Sequence, residues 1–186
     1  MRLEALNALP EPEARAALEH CCGARAWVER VCAGRPFRSR AGLFAAAERA
    51  ADKLRPSDWL EAFACHPRIG DRAALGSGAG AGDVPAAGAG PAAGAALGTT
   101  WAGEEQRGTT RAPQATLDAL AEGNRAYEEK FGYIFIVCAT GKSGDEMLEL
   151  LRGRLANDPD TELLNAAREQ RAITRLRLAK LLGESA

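Results

Sequence analysis

"DPDTELLNAAREQRAITRLRLAKLL", residues 158–182, contains no glycine and no proline after its second position. Leu163, Ala167, Gln170, Ile173 and Leu176 fall three or four residues apart, with Leu181 beyond them. That is the period of a helix with one face turned to a core. Asp158 followed by Pro159 marks the start, because proline suits a first helical turn, where its missing N–H has no partner to lose. One long helix at this end predicts helical architecture for the rest, and the chain upstream agrees. Residues 12–22 and 24–33 read as two short helices broken at Gly23 and Gly34. Residues 42–54 carry Leu43, Phe44, Ala47, Ala50 and Leu54 on one face, and residues 56–65 open with Pro56, where Ser57 or Asp58 can cap. Residues 113–130 begin at Pro113 and carry Leu117, Leu120 and Tyr127. Ser143 and Glu146 have capping-box spacing ahead of Met147, Leu148, Leu150, Leu151 and Leu155.

The chain has 186 residues, 46% apolar and 26% charged, which is the profile of a globular protein with a core of useful size. Ala, Leu, Glu and Arg dominate, all strong helix formers. A net charge of −1 gives no electrostatic reason to expect a nucleic-acid partner. No apolar run approaches the ~18 residues that span a bilayer, and the opening residues lack a signal-peptide core. The expectation is a cytoplasmic protein with no membrane partner. Cys21, Cys22, Cys32, Cys65 and Cys138 form no C-x-x-C and no zinc-ligand cluster with His20 or His66, so they read as buried reduced thiols.

Two segments depart from the helical pattern. Residues 73–100 are almost entirely Ala, Gly and Pro and cannot bury enough apolar surface to offset ordering. They read as a flexible insert, tolerable because closure entropy grows only as the logarithm of loop length. "FGYIFIVCA", residues 131–139, is continuously apolar and reads as a buried extended segment between two helices. With no sheet beside it, its backbone groups need other partners, and a ligand is one candidate. "GKS" at 141–143 imitates the end of a phosphate-binding loop. The required upstream glycine is absent, since Ile136 stands there, so a helix N-terminus with a serine cap is the better reading.

"FACHPRIGD", residues 63–71, pins one of only two histidines against a proline. Proline pushes the preceding residue out of the α region, so a helix through Trp59, Leu60 and Phe63 should stop near Cys65, leaving His66 at its end. Histidine is the usual proton-transfer group near neutral pH. A nucleophilic Cys65 paired with His66 is disfavoured, because adjacent residues point apart. Trp27, Trp59, Phe37 and Phe44 read as core, and His20 as a surface helix residue.

HPRIG at 66–70, W-x-x-x-E-Q-x-G formed by Trp101, Glu105, Gln106 and Gly108, "NRAYEEKFGYIFIVCATGKS", "RLANDPDTEL" and "EQRAITRLRLAKLL" occur together in this order. Together they resemble the 2-oxo-4-hydroxy-4-carboxy-5-ureidoimidazoline (OHCU) decarboxylases, which complete the urate-to-(S)-allantoin route, over nearly the whole chain except the insert. The resemblance implies an all-α, single-domain helical bundle with one short extended segment. It also implies a decarboxylase that needs no cofactor or metal, usually a homodimer, with a functional link to hydroxyisourate hydrolase.

Carried over by position, His66 matches the family's catalytic histidine and Pro67 its substrate-contacting neighbour. Glu105 and Gln106 match the site Glu and Gln, and Phe135, Ile136, Val137, Cys138 and Ala139 a segment whose backbone faces the substrate. An arginine completes the family site, assigned to Arg177 from its place in "LRL", with Arg154 as second candidate. Ala102 stands where the family commonly has a small hydroxyl residue, which implies a missing or water-replaced substrate hydrogen bond. His66 is expected to donate the proton, Glu105 to orient a hydroxyl or ureido group, Gln106 and the 135–139 backbone to bind amides, and Arg177 to grip an anionic oxygen. The alternative is a helical interaction module, most plausibly a catalytically weakened family member.

Overall fold

The computed structural model describes residues 1–69, 101, 104–106 and 112–184. Its elements are helical: α1 (Leu3–Ala8), α2 (Glu11–Glu19), α3 (Arg25–Ala33), α4 (Arg40–Ala51), α5 (Pro56–Phe63), α6 (Gln114–Phe131), α7 (Gly144–Arg154) and α8 (Pro159–Leu181). No strand occurs among the described residues, so the fold is all-α. The predicted helices are present, with ends that coincide or shift by no more than three residues. The short α1 had no expectation behind it, because six residues with two buried leucines carry too little periodicity to read. The 73–100 insert and Ala102 lie outside the described residues.

The chain divides into two compact units, Met1–Ala62 with Gln170–Ala186, and Phe63–Glu169. The first is built on Leu6, Leu18, Trp27, Val31, Leu43, Ile173 and Leu178, all buried. The Trp27 indole N–H donates to Ala47 O at 3.0 Å, so the largest core side chain leaves no buried donor unmet. Trp59 and Phe37 are core as expected, whereas Phe44 and Leu54 are half-buried. The face of α4 runs instead through Leu43, Ala47, Ala50 and Ala51. Cys21, Cys22 and Cys32 are buried thiols, Cys138 is half-buried and Cys65 is exposed. Cys65 departs from expectation because it lies in the turn beyond α5 and not on the helix's inner face.

The second unit packs α6 and α7 over a core of Ile69, Leu120, Tyr127, Phe135, Val137, Ala139, Met147, Leu148 and Leu151. Gly123 explains the close approach, since a Cβ there would sit 2.6 Å from Leu151 Cδ2. The cost of a mid-helix glycine, about 1 kcal/mol, is exchanged for contact between the helices. Gly132, at φ 78°, takes the left-handed conformation that ends α6, and its N–H bonds Glu128 O at 2.8 Å. At the start of α7 the Ser143 side chain accepts from Glu146 N at 3.2 Å and the Glu146 carboxylate accepts from Ser143 N at 2.7 Å. The capping box is therefore complete and the phosphate-loop imitation is a helix cap.

Candidate functional site

Within the Phe63–Glu169 unit, two irregular stretches carry most of the candidate residues. The first follows α5. Its helix ends at Phe63, and His66 N–H closes back on Phe63 O at 3.1 Å, so His66 sits one turn past the helix, half-buried. Pro67 blocks further helix. The next two residues are anchored to α6: Arg68 makes a two-point pair with Glu128, at 2.6 and 2.9 Å, and Ile69 O accepts from Asn124 Nδ2 at 2.9 Å in a buried bond. The Ile69 side chain joins the core of this unit. The imidazole is thus carried on a turn fixed on both sides by backbone and side-chain contacts.

The second stretch is residues 134–139 between α6 and α7, which has no regular secondary structure. Phe135, Val137 and Ala139 point into the core cluster, while Ile136 and Cys138 do not belong to it, the alternation of an extended chain. Its backbone partners come from side chains. Ile136 O accepts from Arg154 Nη1 at 2.7 Å, Cys138 N–H donates to Glu169 Oε2 at 2.7 Å, and Cys138 O accepts from Lys142 Nζ at 2.8 Å. Ala139 O accepts from Lys142 N at 3.0 Å. The protein therefore supplies part of what the sequence left to a ligand.

Arg154, the second candidate for the site arginine, bonds Ile136 O and the Glu162 carboxylate. Its Nε and Nη2 reach Glu162 Oε1 at 2.7 and 2.6 Å, and its guanidinium lies 4.8 Å over the Phe135 ring. Glu162 is fully buried and also accepts from Tyr127 Oη and, at 2.7 Å, from Asn157 Nδ2. Burial alone would raise the Glu162 carboxyl, yet the bonds from Arg154, Tyr127 and Asn157 hold it below its ordinary value. Burial and the hydrogen bond to that carboxylate push the Tyr127 phenol well up.

Glu105 and Gln106 are both buried, at 8% and 4% exposure, on a short helical stretch. A buried carboxylate beside a buried amide is uncommon outside functional or tightly paired positions. Burial pushes the Cys138 thiol up, Lys142 pulls it down, and the Glu169 and Glu105 carboxylates push it up.

Arg177 belongs to the other unit, where it is buried at 5% and its Nη1 donates to His20 O at 3.4 Å. His20 is half-buried at the end of α2. Burial, with a contribution from the Arg177 charge, holds its imidazole below the usual value. Arg168 and Arg175 are exposed, and Arg171 pairs with Asp52 at 2.8 Å. Glu169 and Lys142 escaped the sequence reading. Both sit inside motifs quoted for the resemblance, but nothing local to them points to Cys138, which lies 31 residues from Glu169.

A family profile described as OHCU decarboxylase matches residues 7–179. The chain is 32% identical over 166 residues to the uric acid degradation bifunctional protein TTL of Arabidopsis thaliana, covering 89% of this chain and 46% of that protein. It spans just under half of that relative's length. It is 28% identical to the 2-oxo-4-hydroxy-4-carboxy-5-ureidoimidazoline decarboxylase of Amia calva, over 82% of this chain and 77% of that one. Its fold is similar to the crystal structure of OHCU decarboxylase in the presence of (S)-allantoin. There the TM-score is 0.67 at 31% identity, over 91% of this chain and 99% of the other.

Proposed function

The chain belongs to the OHCU decarboxylase family, and from that premise we propose that it converts 2-oxo-4-hydroxy-4-carboxy-5-ureidoimidazoline to (S)-allantoin in urate breakdown. It is a carboxy-lyase in this reading. The observation that carries it is the buried Glu105–Gln106 pair, at 8% and 4% exposure, within the W-x-x-x-E-Q-x-G motif.

The chemistry asks for little more than placement. The bond from the ring carbon to the carboxylate breaks, carbon dioxide leaves, and the electron pair stays on a ring whose carbonyl and nitrogen delocalise it. A proton then replaces the carboxyl group on one face. His66, on its anchored turn beside Pro67, donates that proton. Glu105 orients the ring hydroxyl or a ureido N–H, and Gln106 and the 135–139 backbone bind the amide groups. Arg177 supplies a planar cation for an anionic oxygen. Donors aimed where charge develops are usually the largest contribution to such a rate. A homodimeric, cytoplasmic enzyme acting downstream of hydroxyisourate hydrolase completes the proposal. Among the described residues no helix is long and apolar enough to cross a membrane.

The test is an assay with freshly generated substrate. The reading expects faster disappearance than the spontaneous reaction and optically active allantoin as product. A rate equal to the spontaneous one, with racemic product, overturns it in favour of a non-catalytic interaction module.

A further inference from the structure

In an extended chain, the N–H and C=O of one residue point to the same edge, and successive residues to opposite edges. Residues 135–139 therefore have two edges, and they are treated differently. On one edge lie Ile136 and Cys138. The Ile136 carbonyl is held by Arg154, the Cys138 N–H by Glu169 and the Cys138 carbonyl by Lys142. On the other edge the N–H and C=O of Val137 and the N–H of Ala139 have no hydrogen-bond partner among the described residues. Both residues are 4% exposed, and buried backbone groups are almost always paired.

The two backbone groups of Cys138 are gripped by opposite charges, a carboxylate on its N–H and an ammonium on its carbonyl. Bonds with one charged partner are the shorter and stronger class, and those of 2.7 and 2.8 Å fall in it. Glu169 comes from α8 and Lys142 from the turn before α7, so two separate elements fix the two peptide planes that flank Cys138, which also carry Val137 C=O and Ala139 N–H. The effect of both charges on the Cys138 thiol is a second sign that they face this residue.

Resting on the decarboxylase reading above, we propose that Glu169 and Lys142 are positioning residues of the reaction. They clamp the two peptides that flank Cys138 so that the opposite edge, Val137 N–H and C=O and Ala139 N–H, is presented in register to the substrate's amide and oxyanion groups. Neither side chain needs to touch the substrate. A slip of about 1 Å in a bound group costs on the order of 10²-fold in rate.

The experiment compares Glu169→Ala, Glu169→Gln and Lys142→Met with the wild-type chain by steady-state turnover and by amide hydrogen exchange at Cys138. Glutamine keeps an oxygen that accepts the Cys138 N–H, so E169Q should retain turnover within about threefold, whereas E169A should lose on the order of 10²-fold. The loss should fall on kcat more than KM, because donors to developing charge act most in the transition state. In E169A the Cys138 amide should exchange about 10- to 100-fold faster, the equivalent of one hydrogen bond to a charged group. Should E169A not fold, K142M carries the test, with lower kcat at an unchanged unfolding midpoint. Folded E169A or K142M with wild-type kcat overturns the proposal, as does E169Q as impaired as E169A. A wild-type chain without turnover sinks the decarboxylase reading and this proposal with it, so the two failures are told apart by the wild-type measurement.

Discussion

The turn at His66–Ile69 and the segment at 134–139 belong to one unit, neither is helical, and both hang from helices by side chains. They differ in what holds them. The holds on the turn include a solvent-facing ion pair, Arg68 with Glu128, and a buried amide, Asn124 on Ile69 O. The segment is held at Ile136 by a buried charge network, Arg154 with Glu162 and Tyr127, whose arginine is 12% exposed and whose glutamate is fully buried. A surface pair can be lost at little cost, whereas half of a buried pair cannot. The turn should therefore be where substitutions separate activity from stability, and the Arg154–Glu162 end of the segment where the stability loss is largest.

The sharpest break in that contrast is His66→Ala. On this account turnover falls about 10²–10⁴-fold, the usual worth of a general acid–base, while the urea midpoint stays put. Wild-type rates from the folded variant would take His66 out of the mechanism. Arg154→Leu should do the reverse, lowering stability by about 3–5 kcal/mol because it strands the Glu162 carboxylate. A urea titration reads this directly, and a shift below 1 kcal/mol would remove the network from the account. Asn124→Ala leaves the buried Ile69 carbonyl without its donor and should cost about 1–3 kcal/mol, with some loss of turnover through the loosened turn. Arg68→Ala, at a pair more than half exposed on the arginine side, should cost no more than about 1 kcal/mol.

Acid should find the same asymmetry. Glu162, Glu146, Asp158 and Asp58 are all held below their ordinary values, the last three chiefly by backbone N–H groups. Their folded-state values lie below the unfolded ones. The stabilisation they give is therefore complete above the ordinary carboxylate range, about pH 4–4.5, and is lost as pH falls through the lowered values. Urea midpoints at pH 7 and pH 3 should differ, with the acid value lower, and equal midpoints would contradict the shifts.

Which parts were readable beforehand follows from how far each contact reaches. The α7 capping box joins residues three apart, so Ser143 and Glu146 announced it. Helix α8 was legible from its period, and the stop before His66 from Pro67. Beyond that range the sequence was silent. Ile136 meets Arg154 across 18 residues and Cys138 meets Glu169 across 31, and no spacing rule connects them. Arg154 illustrates the point: in sequence it is a second candidate beside Arg177, and its bonds to Ile136 O and Glu162 appear only in the structure. Glu105 and Gln106 look like any solvated helix face in sequence. Motif order singled them out, and burial is what makes them unusual.

Backbone amide shifts of the labelled 19.6 kDa chain during titration with (S)-allantoin test the central claim most directly. The account predicts the largest changes at Val137, Ala139 and the His66–Ile69 turn, with Glu105 and Gln106 following. Saturable binding that leaves all of these unmoved, and shifts residues elsewhere, would contradict it.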